Sequence, residues 1–220
     1  MDSKTNSPVT SSEKHAFRSL PFMGVIRVNN EAAAFGYQGG DPSWSNLGQG
    51  QPEGGPMEGA PPRISTVELE PTDHAYGPVE GVVELREKIA AHYNRLFRAG
   101  KRSLYRAENV AISSGGRLAL SRAAAALDRI RLGYFSPDYT AYEDLLATFP
   151  RIEPVRMELS AQNHFQISPA DFAAQLEARR LDAVMISNPC NPTGVVIRGR
   201  ELAAWVEAAR RHSCTLLMDE

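Results

Sequence analysis

The sequence predicts an α/β fold, a mostly parallel sheet with helices on both faces. Two observations carry this expectation. From residue 110 onward, short apolar runs alternate with segments of helical period. Strands that alternate with helices imply right-handed crossovers and parallel pairing. The second observation is local: Ala183-Val184-Met185-Ile186 runs straight into Ser187-Asn188-Pro189-Cys190-Asn191-Pro192-Thr193-Gly194. Two Asn-Pro dipeptides in five residues make a stiff turn, because each proline fixes its own φ and restricts its predecessor. Loops at the carboxyl ends of parallel strands are where open α/β sheets bind ligands.

The elements follow in chain order. Met1 to Lys14 is rich in Ser, Thr and Asn, and residues 1–16 are expected to form a disordered tail. Residues 17–63 carry Gly39-Gly40, Gly48, Gly50, Gly54-Gly55 and Pro61-Pro62. Such a segment cannot support long regular elements, so it is expected to be an arm and small-domain segment of short helical or extended pieces. Residues 64–220 then make up one large domain.

Within that domain Val82, Val83, Leu85, Ile89, Tyr93, Leu96 and Phe97 fall at helical spacing, giving an amphipathic helix that ends at Gly100. Val110-Ala111-Ile112 reads as a short strand and Arg117 to Leu127 as a helix. Tyr134-Phe135 sits on the next strand, followed by a helix from Tyr139 to Thr148. Arg151 to Met157 reads as a strand, and Pro169 to Arg179 as a helix behind a Ser168 cap. Ala183 to Ile186 is a strand, Arg200 to Arg211 a helix, and Thr215 to Met218 the last strand. Asp219-Glu220 follow at once. A carboxylate at the end of a buried strand usually works with a following loop, so the sheet is expected to be incomplete at its carboxyl end. No internal repeat is present.

Bulk properties narrow the class. The 220 residues are 42% hydrophobic and 23% charged, ordinary values for a globular protein. A net charge of −2 gives no electrostatic reason to expect nucleic acid or an anionic membrane as partner. No apolar run approaches the ~20 residues that span a bilayer. The polar amino terminus lacks the apolar core of a secretory signal. Cys190 and Cys214 are the only cysteines, too few for a disulfide framework. His74, His92, His164 and His212 are dispersed, so no metal is assigned. A cytoplasmic enzyme or binding protein is the expectation.

Four candidate features lie just past strand ends. Ser113-Ser114-Gly115-Gly116-Arg117 leads into a helix, where free backbone N–H groups and the helix dipole favour phosphate; Arg117 adds a charge-assisted donor. Ser136-Pro137-Asp138-Tyr139 offers the Tyr139 ring for stacking on a flat ligand. The Asn191 turn offers amides, and Asp219 a carboxylate. Together they describe a planar heteroaromatic phosphate with a hydroxyl and a basic ring nitrogen.

This set resembles the pyridoxal-phosphate enzymes of the class I/II aminotransferase family (fold type I), from about Leu47 to the end, with Asn-Pro-x-Asn-Pro-Thr-Gly as its strongest match. The resemblance implies a truncated fold-type-I large domain over residues 64–220 and pyridoxal 5'-phosphate as cofactor. It implies that Asn191 hydrogen-bonds the cofactor's phenolic oxygen and that Asp219 pairs with the protonated pyridine nitrogen. Tyr139 would stack on the ring, and Gly115, Gly116 and Arg117 would hold the phosphate. Tyr76, in Tyr76-Gly77-Pro78, would reach the phosphate of a neighbouring subunit, implying a homodimer. Gly50, in Leu47-Gly48-Gln49-Gly50-Gln51-Pro52, would lie beside the substrate carboxylate with Asn191.

One departure stands out. The family's Schiff-base lysine lies beyond the residue matching Asp219. The four lysines here are Lys4, Lys14, Lys88 and Lys101, none near a strand carboxyl end. The leading reading is therefore an aminotransferase of amino acids and 2-oxo acids, represented by its amino-terminal part and inactive alone. A lyase or synthase of the same fold shares all these motifs. A non-catalytic sensor or binding domain is the other class; the short, glycine-rich, non-basic segment before residue 64 argues against a DNA-binding regulator.

Overall fold

The computed structural model describes residues 24–48, 50 and 55–220. The predicted tail, with Lys4 and Lys14, lies outside them, as do Gln49, Gln51 and Pro52. The chain divides into two compact units, one up to Gln51 and one from Pro52.

In the first unit Gly24–Ala34 forms helix α1. The breakers Gly36, Gly39 and Gly40 all follow the helix. Beyond it, Tyr37 meets Trp44 edge-on with ring centroids 5.5 Å apart, and Asn46 Nδ2 donates to the Tyr37 hydroxyl at 2.9 Å.

The second unit holds α2 (Val83–Phe97), α3 (Gly116–Ala126), β1 (Ile130–Ser136), α4 (Ala141–Leu146), β2 (Ile152–Glu158), α5 (Pro169–Arg179), β3 (Ala183–Ser187), α6 (Gly199–Arg211) and β4 (Thr215–Asp219). The strands pair in the order β2-β1-β3-β4, all parallel. The expected α/β architecture is thus present, with four strands among the described residues. Val110-Ala111-Ile112 is a correction to the sequence reading: it is not a sheet strand. Its backbone groups are taken locally instead. Ile112 N–H donates to the Glu80 carbonyl at 2.9 Å, and the Val110 carbonyl accepts from Arg86 Nε at 2.9 Å.

Period-two alternation sends β3 side chains to two separate cores. Val184 and Ile186 join Phe135, Phe172, Leu176 and Trp205 on the α5/α6 face. Ala183 and Met185 join Leu132, Tyr134, Tyr142 and Leu146 on the α3/α4 face. Helices cover both faces, as a parallel sheet requires. On the first face Phe172 stacks on Trp205, centroids 3.8 Å apart and planes 12° from parallel. At the sheet's centre Gly133 cannot be replaced without movement: a Cβ would stand 2.6 Å from Leu181 Cδ1 and 2.9 Å from Met157 Cε.

The α5 start shows why its bounds were readable. Ser168 Oγ accepts from Asp171 N–H at 3.1 Å, and Pro169 occupies the first turn, where its missing N–H costs nothing. Helix α2 has the predicted period but a different environment. Of its residues only Ala90 is buried, and Leu85, Leu96 and Phe97 stay exposed.

Candidate functional site

Because β1, β3 and β4 are parallel, their carboxyl ends emerge on one edge of the sheet, and register sets Ser187 directly against Asp219. An open cleft of about 430 Å³ lies along that edge, lined by Gly116, Arg117, Leu120, Tyr139, Asn191 and Asp219 among others. The structure therefore brings four separately predicted features to one place.

The glycines come first. Gly115 adopts φ +93° at the start of α3, a conformation that side chains other than hydrogen rarely adopt. Nothing lies within 4 Å of where a Cβ on Gly115 or Gly116 would stand. The helix amino terminus thus opens its unpaired N–H groups to the cleft, a setting for an anion. Arg117, next on α3, donates from Nη2 to the Tyr139 hydroxyl at 3.2 Å, which ties the helix start to the loop after β1.

Tyr139 stands edge-on to Tyr142, centroids 5.5 Å apart and planes 89° to each other. Tyr142 is fully buried, and its hydroxyl donates to Asp219 Oδ2 at 3.0 Å. Burial, with the nearby charges of Asp219 and Asp138, pushes the Tyr142 phenol far above its ordinary value, so it stays a protonated donor. Asp219 is further fixed through its backbone, whose carbonyl accepts from Asn188 N–H at 2.9 Å.

The Asn191 turn is held from both ends. Asn188 pairs with Ile197 twice, Nδ2 to the carbonyl at 3.0 Å and Oδ1 from the N–H at 2.9 Å. Inside the turn Cys190 N–H reaches the Val195 carbonyl, and Gly194 N–H the Cys190 carbonyl, both at 2.8 Å. The Asn188-Pro189 and Asn191-Pro192 bonds are cis, as is Ser136-Pro137. Asn191 N–H donates to Ser187 Oγ at 2.9 Å. Ser187 in turn donates its hydroxyl to Asp138 Oδ1, and Asp138 is only 6% exposed. Burial raises the Asp138 carboxyl above the ordinary carboxylate range, against the opposing hydrogen bonds from Ser187 and Tyr139.

Tyr76, expected at the phosphate of a neighbouring subunit, stands fully exposed. Gly50 is exposed and belongs to the first unit. Conversely, the sequence reading missed Tyr142 and the roles of Asp138, Ser187 and Asn188. Tyr142 carried one signal, an aromatic three residues after Tyr139, where a helical turn places the two side by side.

The comparisons with known proteins agree with the fold. A family model described as "Aminotransferase class I and II" matches residues 42–220. A valine–pyruvate aminotransferase of Mycobacterium tuberculosis is 32% identical over 176 residues, covering 80% of this chain and 44% of that protein. A crystal structure of an aminotransferase from Mycobacterium tuberculosis superposes with a TM-score of 0.57 at 29% identity, over 66% of this chain and 36% of that one. Aspartate aminotransferase from Thermus thermophilus with maleate gives 0.56 at 26% identity, over 66% and 37%. The fold is that of the fold-type-I aminotransferases. The chain belongs to the aminotransferase class I and II family. It spans less than half the length of these relatives. That family is generally pyridoxal-phosphate-dependent.

Proposed function

We propose that this chain carries the cofactor-facing part of a pyridoxal-phosphate-dependent aminotransferase that moves an amino group between an amino acid and a 2-oxo acid. One observation carries the reading: Gly116, Arg117, Tyr139, Asn191 and Asp219, far apart in sequence, line a single cleft at the strand ends. The donor set fits pyridoxal 5'-phosphate. An open helix amino terminus with two glycines and an arginine suits its phosphate, a tyrosine ring its pyridine face, an amide its phenolic oxygen, and a carboxylate its ring nitrogen.

When bound, the cofactor supplies an electron-withdrawing ring that stabilises negative charge beside the reacting carbon. This chain's residues do the rest of the holding. Gly115, Gly116 and Arg117 would hold the phosphate through N–H donors, and Tyr139 would face the ring. Asn191 would donate its side-chain amide to the phenolic oxygen. Asp219 would keep a proton on the pyridine nitrogen by pairing with it, with Tyr142 fixing that carboxylate. Such fixed polar groups act at full strength because they need no reorganisation during reaction.

The same reading assigns residues 64–220 to the cofactor-binding large domain and residues 17–63 to an arm. It also gives Gly50 and Asn191 to the substrate carboxylate, and Tyr76 to the phosphate site of a second copy in a homodimer. A cytoplasmic setting accords with it; no described helix is long and apolar enough to cross a membrane.

The test is a titration of the 220-residue chain with pyridoxal 5'-phosphate, followed by the cofactor's absorbance and induced circular dichroism. Saturable binding is expected, weakened about tenfold or more by Asn191→Ala and by Asp219→Ala, a loss of roughly 1.4 kcal/mol or more. A wild-type chain that gives no saturable signal would overturn the proposal.

A further inference from the structure

We propose that Asp138 is a positioning residue that sets two walls of the cleft at once, Tyr139 directly and Asn191 through Ser187. The inference deepens the cofactor reading and rests on it for its consequence, but its geometry stands alone.

Asp138 follows β1 and Ser187 ends β3, 49 residues apart. Asp138 Oδ1 accepts from Tyr139 N–H at 2.7 Å, fixing the backbone that carries the stacking ring. The same carboxylate receives the Ser187 hydroxyl, and Ser187 N–H approaches both its oxygens at 3.4 Å. Ser187 Oγ then accepts from Asn191 N–H at 2.9 Å.

The direction of this chain is dictated by chemistry. A carboxylate is acceptor-only, whereas a hydroxyl has one proton and two lone pairs. The single Ser187 proton goes to Asp138, so its lone pairs face the Asn191 N–H.

Cost points the same way. Asp138, 6% exposed, carries a desolvation penalty, and among the described residues its partners are hydroxyl, backbone and thiol groups, with Cys190 Sγ at 3.9 Å and no cation among them. Packing alone is served better by an apolar side chain. A buried acceptor that gathers donors from the two loops flanking the cleft serves to hold those loops in register. The role is one of placement, since Asp138 lies behind Tyr139 and Asn191 and does not line the cleft.

The experiment uses the 220-residue chain and reads amide hydrogen exchange by NMR alongside pyridoxal 5'-phosphate affinity. Asp138→Ala and Ser187→Ala are each expected to speed exchange of the Asn191 amide about tenfold or more, with Val184 and Met185 amides in β3 unchanged. Asp138→Asn, which keeps an acceptor oxygen, is expected to restore most of the protection. Cofactor affinity is expected to fall about tenfold in Asp138→Ala and to recover in Asp138→Asn. If Asp138→Ala does not fold, Ser187→Ala, which deletes a single oxygen, carries the measurement. Wild-type exchange at Asn191 in a folded Asp138→Ala or Ser187→Ala variant overturns the proposal. So does equal acceleration of Asn191 and the β3 amides. Faster Asn191 exchange in a chain whose wild type binds no cofactor upholds the relay and sinks the cofactor reading instead.

Discussion

Tyr142 donates its hydroxyl to Asp219 at 3.0 Å, joining residues 77 positions apart. The pair places a neutral, fully buried donor against the carboxylate at the end of β4. Hydrogen bonds to charged groups contribute roughly 1.5–3 kcal/mol. Tyr142→Phe keeps the ring and removes only that bond, so pyridoxal 5'-phosphate should bind about tenfold more weakly, read from its dissociation constant.

The same residue makes a prediction about pH. Its folded-state phenol lies above the unfolded value, chiefly through burial, so the folded chain holds that proton more tightly. The associated stability is fully present below about pH 10, the ordinary tyrosine value, and is lost as pH rises through the folded value. Urea midpoints at about pH 8 and about pH 11 should therefore separate less in Tyr142→Phe than in the wild type.

Gly115 and Gly116 should respond in opposite ways to alanine. Both have room for a methyl group, but Gly115 sits at φ +93° and ψ 154°, a region essentially reserved for glycine. Gly115→Ala should cost about 1–3 kcal/mol in urea unfolding. Gly116 opens α3 with no such φ, and Gly116→Ala should be neutral or stabilising by up to about 1 kcal/mol.

These contrasts mark what the sequence could disclose. The Pro169–Arg179 helix was readable to the residue because its signals, Ser168 and Pro169, act within one turn. The Asn191 turn was readable because two prolines restrict the backbone locally. Val110-Ala111-Ile112 misled because an apolar run of that length says extended, and whether a neighbour strand exists is a long-range matter. Asp138 was illegible as a site residue for the same reason, and Tyr142 carried only its spacing from Tyr139: their partners lie 49 and 77 positions away. Tyr76 and Gly50 entered through resemblance alone.

Trp205 is 1% exposed, and its buried indole N–H has no hydrogen-bond partner among the described residues. Trp205→Ala should cost about 3–5 kcal/mol through the cavity it leaves against Phe172. Trp205→Phe keeps an aromatic ring and removes an orphan donor that costs about 1–3 kcal/mol, so its loss should be much smaller. Denaturant midpoints of the two variants decide this.

Lys88 and Lys101, the described lysines, are exposed and do not line the cleft. With no lysine among the described residues at the cleft to hold the cofactor covalently or carry a proton between carbons, the 220-residue chain should not transaminate. The check is oxo-acid formation from a panel of amino acids, compared with pyridoxal 5'-phosphate in buffer. A rate above that background would contradict the expectation.

The strand order also schedules assembly. A chain leaving the ribosome delivers Gly115 and Tyr139 first, then Asn191, then Asp219, and β1 waits with one bare edge until β3 inserts beside it. Among the described residues β4 pairs with β3 alone, so the wall that carries Asp219 hangs on a single strand neighbour. A ligand gripping Arg117 and Asp219 together would act as a latch across that seam. At a hundred times its dissociation constant it would add about 2.7 kcal/mol against unzipping, so that filling the cleft also fastens β4 to the sheet.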